Sequence, residues 1–514
     1  MSTPTRGIVI LDFGSQFTQL IARRIRSKGV FSVVLPWNAS REKILSYDPS
    51  GVILSGGPAS VFEESAPTIP KDIWSWDRPV LGICYGMQLV ARDLGLAVER
   101  VGKAEYGHTR IRANPSHPLF RNTPPEQSVW MSHGDTVRGS GTALEVLATS
   151  HEGEMAAFHV VPKRAYAVQF HPEVHHTAFG DTILENFLFD VCRAERNWSA
   201  GAIVTQMVGE IRESVGDGRV ICAVSGGVDS SVVACLVDRA VGKKLHCVFV
   251  DNGLLRAGER EAVVGLLGSH LSAPLDVIDA RARFLERLRG VDDPEEKRKR
   301  IGNLFIEIFE EVSSARGPFD FLAQGTLYPD RIESFSTGGP SVTIKTHHNV
   351  GGLPKNMRFK LVEPLALLFK DEVRAVGAEL GLPRDQLSRH PFPGPGLAVR
   401  VLGEVTEEKL AILRQADAIY IEALREYGLY DTVWQALAVL LPVKSVGVMG
   451  DARTYAFPIV LRAVTSTDGM TADWADLPTE FLREVSSRII NRVPHVNRVA
   501  YDISSKPPST IEWE

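Results

Sequence analysis

The stretch Ser225-Gly226-Gly227-Val228-Asp229-Ser230-Ser231 packs hydroxyls, a carboxylate and a glycine pair into one short segment. The apolar run Val220 to Val224 precedes it and predicts a buried strand. Val232 to Val241 follows, with Val233, Leu236 and Val237 on one helical face. Glycines let backbone N–H groups come close to a ligand, serines add donors, and a helix N-terminus presents its positive end. Together these are what a polyphosphate needs. A tight turn with Ser or Asp capping a helix is the plainer reading, but four hydroxyl or carboxylate groups around one glycine pair favour an anion site.

A second constellation centres on sulfur. Gly82-Ile83-Cys84-Tyr85-Gly86 follows a predicted strand, Val80–Ile83, and leads into a predicted helix through Leu94. Glycines two before and two after the thiol permit a sharp strand-to-helix turn, and the positive end of the helix favours thiolate. His171, in Gln169-Phe170-His171-Pro172-Glu173, follows the predicted strand Ala165–Val168 and supplies a proton acceptor. Glu173 lies two residues on and can fix the imidazole tautomer. A histidine beside a glutamate on a loop is ordinarily a surface pair; with the elbow present, the three read as a Cys-His-Glu triad. His175 and His176 have no cysteine or carboxylate at ligand spacing and read as loop histidines.

The elements that must position these groups alternate. Strands are predicted at Gly7–Leu11, Phe31–Leu35 and Gly51–Leu54, with Phe17, Leu20, Ile21 and Ile25 at helical spacing between the first two. Further on, Leu245–Val250 ends in Asp251-Asn252-Gly253-Leu254-Leu255-Arg256, and Phe319–Ala323 ends in Gln324-Gly325-Thr326. This pattern predicts two α/β domains with doubly wound, mostly parallel sheets and sites at the carboxyl ends of their strands. Asp251 is then placed for a ribose or adenine edge. His390-Pro391-Phe392-Pro393-Gly394-Pro395-Gly396 forbids continued helix and marks a boundary. Beyond it a long helix, short strands and a final amphipathic helix predict a smaller α+β domain. The expected divisions are 1–196, 197–389 and 390–514.

At 514 residues the chain is long enough for several domains, and its net charge of −5 carries no polyanion-binding signature. The charge run Asp292 to Arg300 holds i,i+4 pairs and reads as a solvated helix start, so no nucleic-acid partner is expected. No apolar run is long enough to span a membrane and no signal peptide fits the start. Five widely spaced cysteines without a C-x-x-C pair fit a reducing, cytoplasmic compartment. Lys345, His347 and His348, bounded by glycine pairs at 338–339 and 351–352, have the composition of a mobile cationic lid.

The turn at 225–231 resembles the pyrophosphate-binding loop of the N-type ATP pyrophosphatases, which cleave ATP between the α and β phosphates. Ser55–Pro58, Gly82–Gln88 and His171–Glu173 together resemble the class I glutamine amidotransferases. That second resemblance implies that glutamine is hydrolysed through a thioester on Cys84. It also implies that the Gly57 and Tyr85 N–H groups form the oxyanion hole and that Ser132–Asp135 borders the glutamine site. The phrases 250–253, 324–330 and 345–352 resemble GMP synthetases closely, as do Phe369–Arg374 and the tail Lys506–Glu514. This resemblance implies ATP and xanthosine monophosphate (XMP) as substrates with Mg²⁺ on the phosphates, Asp229 being the candidate carboxylate for the ion. It further implies that Lys506 grips the nucleotide phosphate, that Glu512 contacts the base, and that Arg256, Arg498 and Ile511 complete the XMP set. It implies a homodimer formed through the third domain. A tRNA-thiolating or asparagine-forming pyrophosphatase is the competing enzyme. Thiolation asks for a basic RNA surface or redox cysteines, and the asparagine enzyme for an N-terminal cysteine where this chain has Ser2. A nucleotide-binding regulator with inactive sites is the reading from another class.

Overall fold

The computed structural model describes residues 6–139, 143–328, 359–449, 452–466 and 471–514. The lid candidates Lys345, His347 and His348 lie outside them. Contacts divide the chain into two compact units, Met1–Ile203 with Tyr328–Pro340, and Val204–Leu327 with Ser341–Glu514. The helix Ala200–Val215 carries the chain from one to the other. Among the described residues no helix is long and apolar enough to cross a membrane.

The first unit is built on one nine-stranded sheet in the order β2-β1-β3-β4-β9-β8-β7-β5-β6. Its strands are β1 (Ile8–Asp12), β2 (Ser32–Pro36), β3 (Gly51–Leu54), β4 (Val80–Ile83), β5 (Ala97–Ala113), β6 (Glu126–Arg138), β7 (Leu144–Ser150), β8 (Met155–Val160) and β9 (Ala165–Val168). β2, β1, β3, β4 and β9 are mutually parallel; the rest join antiparallel. The sequence pattern follows this division. β3 and β4 are apolar and buried at every position, as a parallel strand covered on both faces must be. Most of β6 alternates between buried and half-buried residues, because only one of its faces meets the core.

The second unit carries two sheets. β10 (Val220–Ala223), β11 (Leu245–Asp251), β12 (Leu275–Asp279), β13 (Phe321–Ala323) and β14 (Lys360–Val362) are all parallel, in the order β12-β11-β10-β13-β14. The order reverses beside β10, which is where an open α/β sheet leaves a crevice at its strand ends. In the other sheet, β15 (Gln435–Leu440), β16 (Ser445–Met449), β18 (Asp473–Trp474) and β19 (Val496–Tyr501) pair with the long β17 (Ala452–Thr465). One apolar cluster joins the two, running from Ile221 and Val248 through Leu397, Leu413 and Tyr420 to Phe481 and Ile489. The Pro/Gly stretch at 390–396 therefore turns the chain inside a shared core. His390 is buried there, stacked on Tyr430 at 3.9 Å, and both its ring nitrogens are hydrogen-bonded to backbone.

The charge run at 292–300 begins a helix, Pro294–Arg316, capped by Asp293, which accepts from the Glu296 N–H at 2.8 Å. The expected Glu296–Arg300 pair forms at 2.8 Å. Lys297, in the middle of the run, is an exception to the solvated reading. It is fully buried, and its ammonium donates to the carbonyls of Ala398 and Val401 and to the Glu514 carboxylate.

Candidate active sites

Cys84 stands at the carboxyl end of β4 and caps the helix Tyr85–Asp93 with a φ of +52°, a conformation rare for a side chain of this kind. Such strain persists only where the surroundings fix it, and it is concentrated at active sites. The surroundings here are two glycines. A Cβ on Gly82 would lie 2.5 Å from the Gly86 carbonyl oxygen, and one on Gly86 would run into the Leu54 carbonyl. The predicted elbow thus owes its shape to close backbone approach. Tyr85 is the first helical residue, so its N–H has no acceptor inside the helix. Gly57 follows β3, pressed so close to Phe13 that a Cβ would lie 2.5 Å from the Phe13 carbonyl oxygen.

His171 follows β9, the strand beside β4, so sheet order brings imidazole and thiol to one edge. A Cβ on Gly56 would meet His171 Cε1 at 3.1 Å and Cys84 Cβ at 3.6 Å, so both side chains converge there. His171 Nδ1 lies 2.7 Å from Glu173 Oε1, and both residues are buried. Burial works against charge on the imidazole. The Glu173 carboxylate and hydrogen bonding to Cys84 outweigh it, and the histidine is pushed up to about 10. The pair therefore favours an imidazolium beside the sulfur. Two further contacts, to the His171 main chain and to its ring, hold the residue. Thr177 donates its hydroxyl to the His171 carbonyl at 2.6 Å, and Phe17 meets the imidazole edge-on at 5.2 Å.

The Ser132 carbonyl oxygen lies 3.4 Å from Cys84 Sγ, so the 132–135 segment does border the thiol. His133 is committed locally, to Glu105 at 3.2 Å and the Asp135 carbonyl at 3.1 Å. Asp135 accepts from the Ser60 hydroxyl at 2.8 Å. His175 and His176 are exposed, the latter against Trp130 at 4.5 Å.

One further histidine cluster has no counterpart in the sequence reading. His117, Glu145 and His159 bring one ligand atom each within 4.8 Å of the others. The Leu119 N–H donates to His117 Nδ1 at 3.2 Å, so the proton sits on Nε2, which faces His159 Nδ1 at 3.4 Å. These contacts link the two imidazoles to each other and to the Leu119 backbone.

In the second unit, Val224 to Gly227 connects β10 to the helix Val228–Val241, so a strand-to-helix turn forms as expected but the helix begins four residues before Val232 and takes in Val228 to Ser231. Gly226 has φ +81°, and a Cβ there would collide with Val263. The hydroxyls of Ser225 and Ser230 lie 3.1 Å apart, and Ser225 Oγ accepts the Gly227 N–H at 3.3 Å. Ser231 is buried and donates to the Gly227 carbonyl at 2.9 Å. Asp229, in the first helical turn, is gripped through both oxygens by Lys370, at 2.6 and 2.7 Å. Lys370 opens the helix Lys370–Glu379, and Asp371 beside it is exposed. Asp251 ends β11, the strand next to β10. It is buried, accepts the Gly253 N–H at 3.0 Å, and faces Arg260 at 3.3 Å and Arg281 at 3.7 Å.

The tail is tied down by buried cations. Glu512 forms a two-pronged pair with fully buried Arg400, at 2.8 and 3.0 Å, and accepts from Gln435 at 2.6 Å. Burial raises the Glu512 carboxyl, but the Arg400 charge and these hydrogen bonds hold it below the usual range. Arg462, also buried, donates to the carbonyls of Ser504, Thr510 and Ile511 and pairs with Asp502 at 2.8 Å. Ile511 is buried against Leu437 and Val460. Lys506 exchanges backbone hydrogen bonds with Ala472. Arg256 reaches the Ala436 carbonyl at 3.1 Å and Asp417 at 3.3 Å. Arg498, on β19, donates to Ser445 Oγ at 2.7 Å.

The first unit, with its Cys-His-Glu set at the carboxyl ends of two central strands of a mixed sheet, has the build of a class I glutamine amidotransferase, and residues 9–191 match the family described as glutamine amidotransferase class-I. Residues 422–513 match the GMP synthase C terminal domain. GMP synthase (glutamine-hydrolyzing) of Aquifex aeolicus is 56% identical over 509 residues, which are 99% of this chain and 99% of that one. The enzyme of the same name from Chlorobium limicola is 55% identical over 517 residues, covering 99% of this chain and all of that one. The chain belongs to the GMP synthase (glutamine-hydrolyzing) family.

Proposed function

We propose that the chain hydrolyses glutamine to glutamate and ammonia at Cys84, activates XMP with ATP at the 225–231 loop, and aminates it to GMP, releasing AMP and pyrophosphate. In this reading Cys84 Sγ attacks the glutamine amide carbon. The His171 imidazolium gives its proton to the departing ammonia, then takes one from the water that cleaves the thioester. Glu173 keeps Nδ1 protonated throughout. The N–H groups of Gly57 and Tyr85 receive the oxyanion, each donor contributing roughly 2.7–4 kcal/mol to the transition state. The 2.7 Å His171–Glu173 contact beside a strained thiol carries this half of the proposal.

In the second half, Ser225, Gly226, Gly227, Val228, Asp229, Ser230 and Ser231 cradle the ATP pyrophosphate. Asp251 faces the nucleoside side. Lys370 supplies a cation beside the loop, freed from Asp229 as the polyphosphate arrives. Asp229 fits Mg²⁺ as its one protein carboxylate, since the ion binds through one or two carboxylates together with phosphate oxygens and water. Mg²⁺ would neutralise charge on the pyrophosphate as it leaves. Arg256, Arg498, Lys506, Ile511 and Glu512 make the XMP set, with Glu512 reaching the base through a carboxylate already fixed by Arg400 and Gln435. Lys345, His347 and His348, outside the described residues, supply positive charge for the activation step in this reading.

The three functional segments are 1–196, 197–389 and 390–514. Five free, buried thiols support a reducing cytoplasmic setting. Exposed Val446, Val448 and Tyr455, on the β16–β17 hairpin, support a homodimer through the third segment. Synthesis from XMP, ATP and glutamine is the test. Amination by ammonium but not glutamine in Cys84→Ala supports the division of labour, and loss of both activities in that variant contradicts it.

A further inference from the structure

The outer side of the anion loop is held by two residues that neither the loop motif nor its neighbours on β10 contain. The Gly226 carbonyl accepts two hydrogen bonds, from Gln386 Nε2 at 2.9 Å and from Arg389 Nη1 at 3.0 Å. Gln386 is buried in the short helix Arg384–Leu387 and also donates to Ser231 Oγ at 3.2 Å. Arg389 is seated in turn: its other nitrogen pairs with buried Glu259, whose second oxygen accepts the Arg256 N–H at 3.0 Å. A guanidinium fixed at both ends thus presses on one backbone carbonyl.

The consequence follows from peptide geometry. In a planar trans peptide the C=O and the next N–H point in opposite directions. With the Gly226 carbonyl turned toward Gln386 and Arg389, the Gly227 N–H points the other way, where it is donated to Ser225 Oγ at 3.3 Å, a long bond that an arriving phosphate oxygen can take over. Gly226 has no side chain and already occupies φ +81°, so its own backbone gives little resistance to a flip of that peptide. A flip would put a carbonyl oxygen where a polyphosphate needs a donor.

We propose that Arg389, seated by Glu259 and aided by Gln386, is a positioning residue for ATP: without touching the nucleotide, it holds the Gly226–Gly227 peptide in the one orientation that presents a donor to the pyrophosphate. This rests on the assignment of the 225–231 loop to ATP. The test is ammonium-driven synthesis by Arg389→Met and Arg389→Lys, with glutaminase activity measured beside it. Arg389→Met raises KM for ATP about tenfold or more, the scale of one lost charge-assisted hydrogen bond, while KM for XMP and the glutaminase rate hold. Arg389→Lys recovers part of the loss, because an ammonium can still reach a carbonyl. If Arg389→Met folds poorly, Gln386→Leu is read in the same assay and raises KM for ATP in the same direction. A lowered Tm with KM for ATP unchanged, or equal rises in KM for ATP and XMP, overturns the positioning role. Failure of the unaltered chain to form AMP from ATP would instead remove the loop assignment itself.

Discussion

At the scale of single residues, the account rests on a thiol and an imidazole held together by burial. His171 is raised from 6.5 to about 10 in the folded chain, against the cost of burial, because Glu173 and Cys84 favour its charged form. A group raised on folding contributes stability that is full below its unfolded value and is lost as pH climbs through the folded one. The urea midpoint of the unaltered chain should therefore fall between about pH 6.5 and 10 through this group, and Glu173→Gln should flatten that part of the slope. An identical slope in the variant would mean Glu173 does not hold the proton on His171. Cys84→Ala should abolish glutamine-dependent synthesis, by roughly the 10³-fold or more that follows loss of a nucleophile, and leave ammonium-dependent synthesis intact. Rates with both nitrogen sources check this.

At the scale of elements, the tail and the elbow make different demands. Arg400→Met would strand Glu512 without its cation in a buried position. Breaking one partner of such a pair destabilises by roughly 3–5 kcal/mol, so the chemical-denaturation midpoint should drop and the KM for XMP should rise with it. A neutral effect on both would show that the clamp matters to neither. Gly86→Ala should cripple glutamine use, since its methyl would meet the Leu54 carbonyl and force the elbow open. Glutaminase assay of the folded variant checks this.

The elbow, the His171–Glu173 pair and the Gly226–Gly227 turn were legible in sequence because each is local, whereas the meeting of Cys84 with His171 depends on β4 pairing with β9. The tail clamp was not. Arg400, Arg462 and Lys297 lie 112, 49 and 217 positions from the tail residues they bind, and only the folded core brings them together. Lys297 was hidden inside a charge run that is mostly solvated, and charge alone does not tell which member of a run turns inward. Lys370 lies in the stretch Phe369–Arg374, but its partner Asp229 is 141 positions away and only the fold brings the two together.

At the scale of the whole molecule, two centres sit in two compact units, and the family joins them in one chain. The alternation of apolar runs and amphipathic segments foretold the parallel sheets. It did not foretell that the last 120 or so residues share a core with the second sheet, since a Pro/Gly stretch reads the same on a linker as in a buried turn. If the hairpin carrying Val446, Val448 and Tyr455 is the dimer face, Val448→Glu should shift the chain toward monomer in sedimentation, whereas an unchanged mass would clear that face of the role.

The most direct test follows phosphorus. With glutamine, XMP and ATP supplied, a polyphosphate-gripping turn that activates a purine oxygen by adenylylation must yield AMP and pyrophosphate in equal amounts with GMP, resolved by ³¹P NMR. ADP and inorganic phosphate accompanying GMP would contradict it.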